Sequence, residues 1–139
     1  MNIEERLDEL TEILDDLAEA SLTSILLVEG RKDMMAVSLA GAGGRMMAVQ
    51  SEGGPLRVAE RLFDERMSAV ILTDWDDEGN SIAKELERSL SSLCVKYDVM
   101  IRRRLRRVCG NEIKDVESLP SFYARLVNES IRGKEVKNK

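Results

Sequence analysis

The chain has 139 residues, 43% of them apolar and 34% charged, which is enough for one domain with a sizeable core and too little for two. It contains no histidine, and its two cysteines, Cys94 and Cys109, form no C-x-x-C pair, so nucleophiles with an imidazole base, histidine-held metals, a disulfide framework and a zinc site are excluded. Its net charge is −5, no apolar run approaches the roughly 20 residues a bilayer requires, and the opening MNIEERLDEL is acidic where a signal peptide is basic and apolar, so the expectation is a cytoplasmic protein without a membrane partner.

Ile3, Leu7, Leu10, Leu14 and Leu17 alternate spacings of four and three, which predicts an amphipathic helix over residues 2–20 with an acidic outer face. The repeat also suits a short coiled coil, but with fewer than three heptads packing onto its own domain is the expected use. After a connector at 21–24, the period changes. Ser24 to Val28 is a continuous apolar run, followed by Glu29-Gly30 and a helix from Arg31 to Ala40 that stops at Gly41. Arg45 to Val49 is a weaker strand, and Ser51-Glu-Gly-Gly-Pro55 leads into a helix reaching about Met67. Ser68 to Thr73 is a third apolar run. The acidic turn Asp74-Trp-Asp-Asp-Glu-Gly79 and a helix over 80–93 follow. Tyr97 to Ile101 reads as a fourth strand. Arg102 to Val108 either prolongs it or forms a short basic helix, and local pattern leaves that choice open. A last helix is expected over 121–131, with a frayed tail over 133–139.

Strand runs alternating with helices predict an α/β, Rossmann-like fold of about four mostly parallel strands covered by helices. Unalternated runs such as 24–28 suit strands buried on both faces. In such sheets chemistry collects at the carboxyl ends of the strands. The first strand ends in Glu29 and the third in Asp74, with Asp76 two positions on. Three carboxylates at neighbouring strand ends repel one another unless a cation joins them, and a hard ion such as magnesium needs only a few carboxylate oxygens, water and a substrate phosphate. Taken singly, each acid is more often a solvated loop residue or a helix N-cap, and it is their common place after buried strands that argues otherwise.

Val28-Glu29-Gly30-Arg31-Lys32-Asp33, followed by Leu72-Thr73-Asp74-Trp75-Asp76-Asp77-Glu78-Gly79, resembles the two signatures of the Toprim domain, which is shared by topoisomerases, bacterial primases, a ribosomal-RNA maturase and overcoming-lysogenization-defect nucleases. The match covers about residues 24–101, and the whole chain is similar to small stand-alone Toprim proteins of archaea and bacteria. The resemblance implies that Glu29 is a general acid or base or a metal ligand, and that Asp74 and Asp76 hold Mg²⁺, for which Mn²⁺ may substitute. Asp33 and Glu78 match further acidic positions, and Gly79 permits a tight start to the helix. The division it suggests is a helical extension over 1–23, a Toprim domain over 24–110 and a C-terminal helical extension and tail over 111–139. No tyrosine, zinc or ATPase domain of the larger relatives fits in the remainder.

Metal-bound carboxylates can orient a phosphate and activate water without histidine, which supports phosphodiester chemistry on its own ground. Residues 1–93 carry 9 Lys/Arg against 20 Asp/Glu, and residues 94–139 carry 12 against 6, so a basic segment lies beside an acidic one. Arg31 and Lys32 at a helix start, and the cluster Arg102, Arg103, Arg104, Arg106 and Arg107, are the candidates for nucleic-acid contacts, to RNA or DNA. The same arginines would equally serve to neutralise the acidic first helix. Met34, Met35, Met46 and Met47 read as core filler, and Trp75 as packing beside the acidic turn. The expectation is a magnesium-dependent, nuclease-like nucleic-acid-processing protein, monomer or weak homodimer, with a non-catalytic nucleic-acid-binding module or scaffold as the alternative.

Overall fold

The computed structural model describes residues 1–137. The first helix, α1 (Ile3–Ala20), starts where the Asn2 side chain accepts the Glu5 N–H at 2.9 Å, and it buries Leu10, Ile13, Leu14 and Leu17. Strands and helices then alternate: β1 (Ser24–Val28), α2 (Arg31–Leu39), β2 (Met46–Ala48), a single turn α3 (Val49–Glu52), α4 (Pro55–Glu65), β3 (Ser68–Ile71), α5 (Asp77–Ser92), β4 (Tyr97–Asp98), α6 (Met100–Cys109) and α7 (Leu119–Lys137). The four strands form one all-parallel sheet in the order β2-β1-β3-β4. The chain steps from β1 outward to β2 and then crosses back to β3 on the other side of β1. That reversal opens a crevice at the carboxyl ends of β1 and β3.

Both faces of the sheet are covered, as the unbroken apolar runs require. Ile25 and Leu27 point to one side, against Leu62 of α4 and Leu86 and Leu90 of α5. Leu26 and Val28 point to the other, against Leu10, Ile13 and Leu17 of α1, Leu105 of α6 and Phe122 and Leu126 of α7. Each such side chain, taken fully out of water, contributes about 1.5–3 kcal/mol before entropy is counted. The helices on either side of residues 24–110, α1 and α7, therefore share one core with the sheet and pack side by side in it.

Several boundaries differ from the sequence reading. The fourth strand has two residues rather than five, because the Asp98 carboxylate accepts the Ile101 N–H at 3.1 Å and turns the chain into α6. The open choice over 102–108 resolves as helix, with Ile101, Leu105, Val108 and Cys109 buried at helical spacing. α5 starts three residues early, at Asp77. The frayed tail expected over 133–139 is helical as far as Lys137, and residues 138 and 139 lie outside the described part. Of the four methionines expected as filler, Met47 is buried and Met34 and Met46 pack against the core, but Met35 stands 71% exposed.

Candidate functional site

Glu29 follows directly on β1, and Asp74 lies three residues beyond β3. The strands remain paired to their ends, since the Leu72 N–H donates to the Leu27 carbonyl at 2.8 Å. The two acids thus meet at the crevice. Glu29 Oε1 accepts the Asp74 N–H at 3.0 Å, Asp74 Oδ1 accepts the Val116 N–H at 2.9 Å, and Asp76 Oδ1 accepts the Gly79 N–H at 2.7 Å, making Asp76 the N-cap of α5. Asp33, buried in the first turn of α2, reaches back to the Gly30 N–H at 3.1 Å. Each of these carboxylates has one oxygen fixed by a backbone donor, while its second oxygen has no protein donor among the described residues. Glu78 is exposed in the first turn of α5.

Gly79 makes this crowding possible. A Cβ at that position would stand 2.0 Å from the Asp74 carbonyl oxygen and 2.8 Å from Glu29 Oε1. Its own carbonyl accepts the Thr73 hydroxyl at 2.8 Å, which ties the end of β3 to the start of α5.

The carboxylates disturb one another strongly. Burial first, then the charges of Asp74, Asp76 and Glu78, push the Glu29 carboxyl up to about 7 against the opposing hydrogen bond from the Asp74 N–H. Burial likewise pushes Asp74 up to about 6, with Asp33, Asp76 and Asp115 adding to it and the Val116 N–H opposing. Arg102 is a buried countercharge that feels both Glu29 and Asp74. Its guanidinium donates to the Thr73 carbonyl at 2.8 Å, the Asp74 carbonyl at 2.6 Å and Asn80 Oδ1 at 2.6 Å. With 8% of its surface exposed, Arg102 braces the acidic turn from within, a structural role in place of the nucleic-acid contact expected of it.

The other arginines of α6 divide by helix face. Arg104 pairs with Asp16 and Arg107 with Glu9, each at 2.7 Å, so these two neutralise α1 as the alternative reading held. Arg103 is exposed, its nearest polar partner the Met100 sulfur at 3.7 Å. Arg106, one turn beyond Arg102, is exposed beside the acidic turn. Arg31 and Lys32 are exposed at the start of α2, with Lys32 3.5 Å from Glu117.

The segment between α6 and α7 was silent in the sequence reading. Val116 holds Asp74, the Lys114 carbonyl accepts the Trp75 N–H at 2.9 Å, and the Ile113 carbonyl accepts the Trp75 indole N–H at 2.8 Å. Trp75 is 4% exposed and packs as expected. Gln50 was also missed; its side-chain oxygen lies 3.4 Å from where a Cβ on Gly30 would be. No motif signals these residues, because they reach the site through tertiary contacts alone.

The donor set fits a hard divalent cation that keeps most of its water. Fixed carboxylates with a free oxygen each, carrying unrelieved mutual repulsion, are what such an ion relieves. Among the described residues no three metal-ligating side chains close into a ready-made cage. The fit is therefore to an open site completed by water and substrate oxygens, as magnesium commonly adopts.

Comparison with known proteins gives the same frame. The Toprim domain model matches residues 24–104. A UPF0292 protein from Methanosarcina acetivorans is 31% identical over 122 residues, covering 87% of this chain and 84% of its own. One from Thermococcus gammatolerans is 32% identical over 119 residues, covering 86% of each. The solved structure of a putative protein from Aquifex aeolicus shares the fold, with a TM-score of 0.66 and 23% identity over 78% of this chain and 95% of that one.

Proposed function

Because the chain belongs to the Toprim domain family, whose members are associated with divalent metal and nucleic acid, we propose that it carries out magnesium-dependent, nuclease-like phosphodiester chemistry at the crevice between β1 and β3. The observation that carries this reading is the meeting of Glu29 and Asp74 at adjacent strand ends, each with one oxygen moored and its acidity shifted towards neutrality. Asp74 and Asp76 would hold the metal, with Glu29 as a further ligand or as the proton-transfer group. Bound there, magnesium or manganese supplies Lewis-acid polarisation of a phosphate oxygen.

The protein's own groups do the rest. A Glu29 carboxyl poised near 7 exchanges a proton readily at neutral pH, which a general acid or base must do. Arg102 and Gly79 fix the acidic turn so that Asp74 and Asp76 do not have to reorganise during reaction. Asp33 fixes the Gly30 N–H beside Glu29. Exposed Arg31, Lys32 and Arg106 are available to a phosphate backbone.

The test is incubation with labelled RNA and DNA with and without Mg²⁺. Metal-dependent cleavage lost in the Asp74→Ala, Asp76→Ala double variant is expected. Cleavage that survives both changes comes from elsewhere.

The exposed cations beside the crevice, Arg31, Lys32 and Arg106, would equally serve a second reading, a module that binds nucleic acid without turnover. Salt-dependent binding with no cleavage under any divalent ion is its signature.

A further inference from the structure

Beside the acidic turn lies a polar cavity of about 240 Å³, lined chiefly by Asp76, Asp77, Asn80, Arg106, Asn111 and Lys114. It is smaller than the ~300–1,000 Å³ clefts that enclose whole drug-sized ligands, so it suits one backbone unit of a polymer. Its cations are unspent. Arg104 and Arg107 of the same helix are paired at 2.7 Å, yet among the described residues neither Arg106 nor Lys114 has a salt-bridge partner, although two carboxylates share their cavity. The carboxylate of Asp77 in turn has no donor among the described residues. Arg106, Asn111 and Lys114 all lie beyond residues 24–104, the part matched to the family, so the chain beyond the match supplies one wall of this cavity and the acidic turn the other.

A ligand that satisfies both walls needs an anionic group for Arg106 and Lys114 and a hydrogen-bond donor for Asp77. A deoxyribose–phosphate backbone has only acceptors and apolar carbons to present there. A ribose–phosphate backbone has, in every unit, one donor as well, the 2′-hydroxyl. Burying a carboxylate against a unit with no donor leaves it desolvated and unpaired. We propose that this cavity seats one ribonucleotide unit of a bound strand, its phosphate on Arg106 and Lys114 and its 2′-hydroxyl on Asp77, and that it makes RNA the preferred substrate. The inference rests on the nucleic-acid reading above and deepens it.

The test is fluorescence anisotropy with short single strands of one sequence made as RNA, DNA and 2′-O-methyl RNA, in EDTA so that binding is read apart from turnover. The intact protein should bind RNA about tenfold more tightly than either other strand, the equivalent of one hydrogen bond to a charged group. Asp77→Ala should erase that difference. Arg106→Gln with Lys114→Gln should weaken RNA binding and lower the slope of log affinity against log salt by about 0.7, the value for one lost phosphate contact to a single strand. Arg132→Gln, an exposed change on α7, is the control for general charge loss. If DNA or 2′-O-methyl RNA binds as well as RNA, if Asp77→Ala keeps the preference, or if the paired substitution changes binding no more than Arg132→Gln does, the cavity has no such role while the nucleic-acid reading stands. If no strand binds at low salt, both fall together.

Discussion

Gly79 is where the acidic site is most sensitive to a single atom. In the first turn of a helix, replacing glycine by alanine ordinarily stabilises by about 0.4–1 kcal/mol, through helix propensity and a less flexible unfolded chain. At Gly79 the added carbon would meet the Asp74 carbonyl at 2.0 Å and the Glu29 carboxylate at 2.8 Å. Gly79→Ala should therefore destabilise, by about 1–3 kcal/mol, and should abolish divalent-ion binding. Gly133→Ala in α7, where a Cβ meets nothing within 4 Å, should show the ordinary sign. Urea unfolding of both variants reads the contrast, and equal shifts would show that the crowding at Gly79 is relieved at no cost. Arg102 gives a second residue-scale expectation. Its guanidinium is lowered from its ordinary pKa by burial and by Arg106 alongside, but it stays charged, because arginine does not deprotonate in proteins. Arg102→Met leaves two carbonyls and an amide oxygen without their donor and should cost about 1.5–3 kcal/mol or more, whereas Arg103→Met, exposed on the same helix, should cost under ~0.5 kcal/mol. The acids Glu29, Asp74 and Asp76 could be read from sequence because each follows a recognisable buried strand. Arg102 is indistinguishable in sequence from its neighbours, because an arginine run carries no sign of which member turns inward. That depends on helical phase, and the boundary between β4 and α6 sets the phase.

At the scale of elements, legibility followed the hydrophobic period. The helix α1 and the strands β1 and β3 carry unmixed patterns and lie where expected. β4 did not, because a single hydrogen bond from the Ile101 N–H to Asp98 ends it after two residues, and a capping contact outweighs the β propensity of the residues that follow. The role of α1 also needed the fold. Its leucines form part of the core behind Leu26 and Val28, while its acids take up Arg104 and Arg107. These two contributions differ greatly in weight. Leu10, fully buried, should cost about 2–5 kcal/mol on truncation to alanine. The Glu9 to Arg107 pair, with the arginine 73% exposed, should yield about 0.2–1 kcal/mol in a double-mutant cycle and less at high salt. Thermal or urea unfolding of Leu10→Ala beside Glu9→Gln checks both. A larger effect at Glu9 would mean that α1 is held by charge and not by its apolar face.

Across the whole molecule, the acidic crevice should make stability depend on pH in the direction opposite to that of an ordinary paired carboxylate. Glu29 and Asp74 are raised to about 7 and about 6 from ordinary values of 4.5 and 3.8. Between the ordinary and raised values the folded chain binds more protons than the unfolded chain does, so unfolding free energy falls as pH rises through that window, from about 4 to about 7. Each unit of displacement corresponds to 1.36 kcal/mol, and the two groups are coupled, so the loss is on the order of a few kcal/mol in total. For the metal-free protein in EDTA, the melting temperature should accordingly decline from mildly acid to neutral pH. A divalent ion that relieves the repulsion should reverse this, adding about 2.7 kcal/mol at a hundred times its dissociation constant, and its stabilisation should grow with pH because deprotonated carboxylates bind it better. Asp74→Asn removes one member of the cluster and should flatten the metal-free pH profile while abolishing the metal's effect. Melting curves across pH, with EDTA and with Mg²⁺ or Mn²⁺, separate these terms. A metal-free profile that rises towards neutrality would mean that the crevice carboxylates are already neutralised by the protein itself, with Arg102 as the group to examine, and that they hold no surplus charge for a cation.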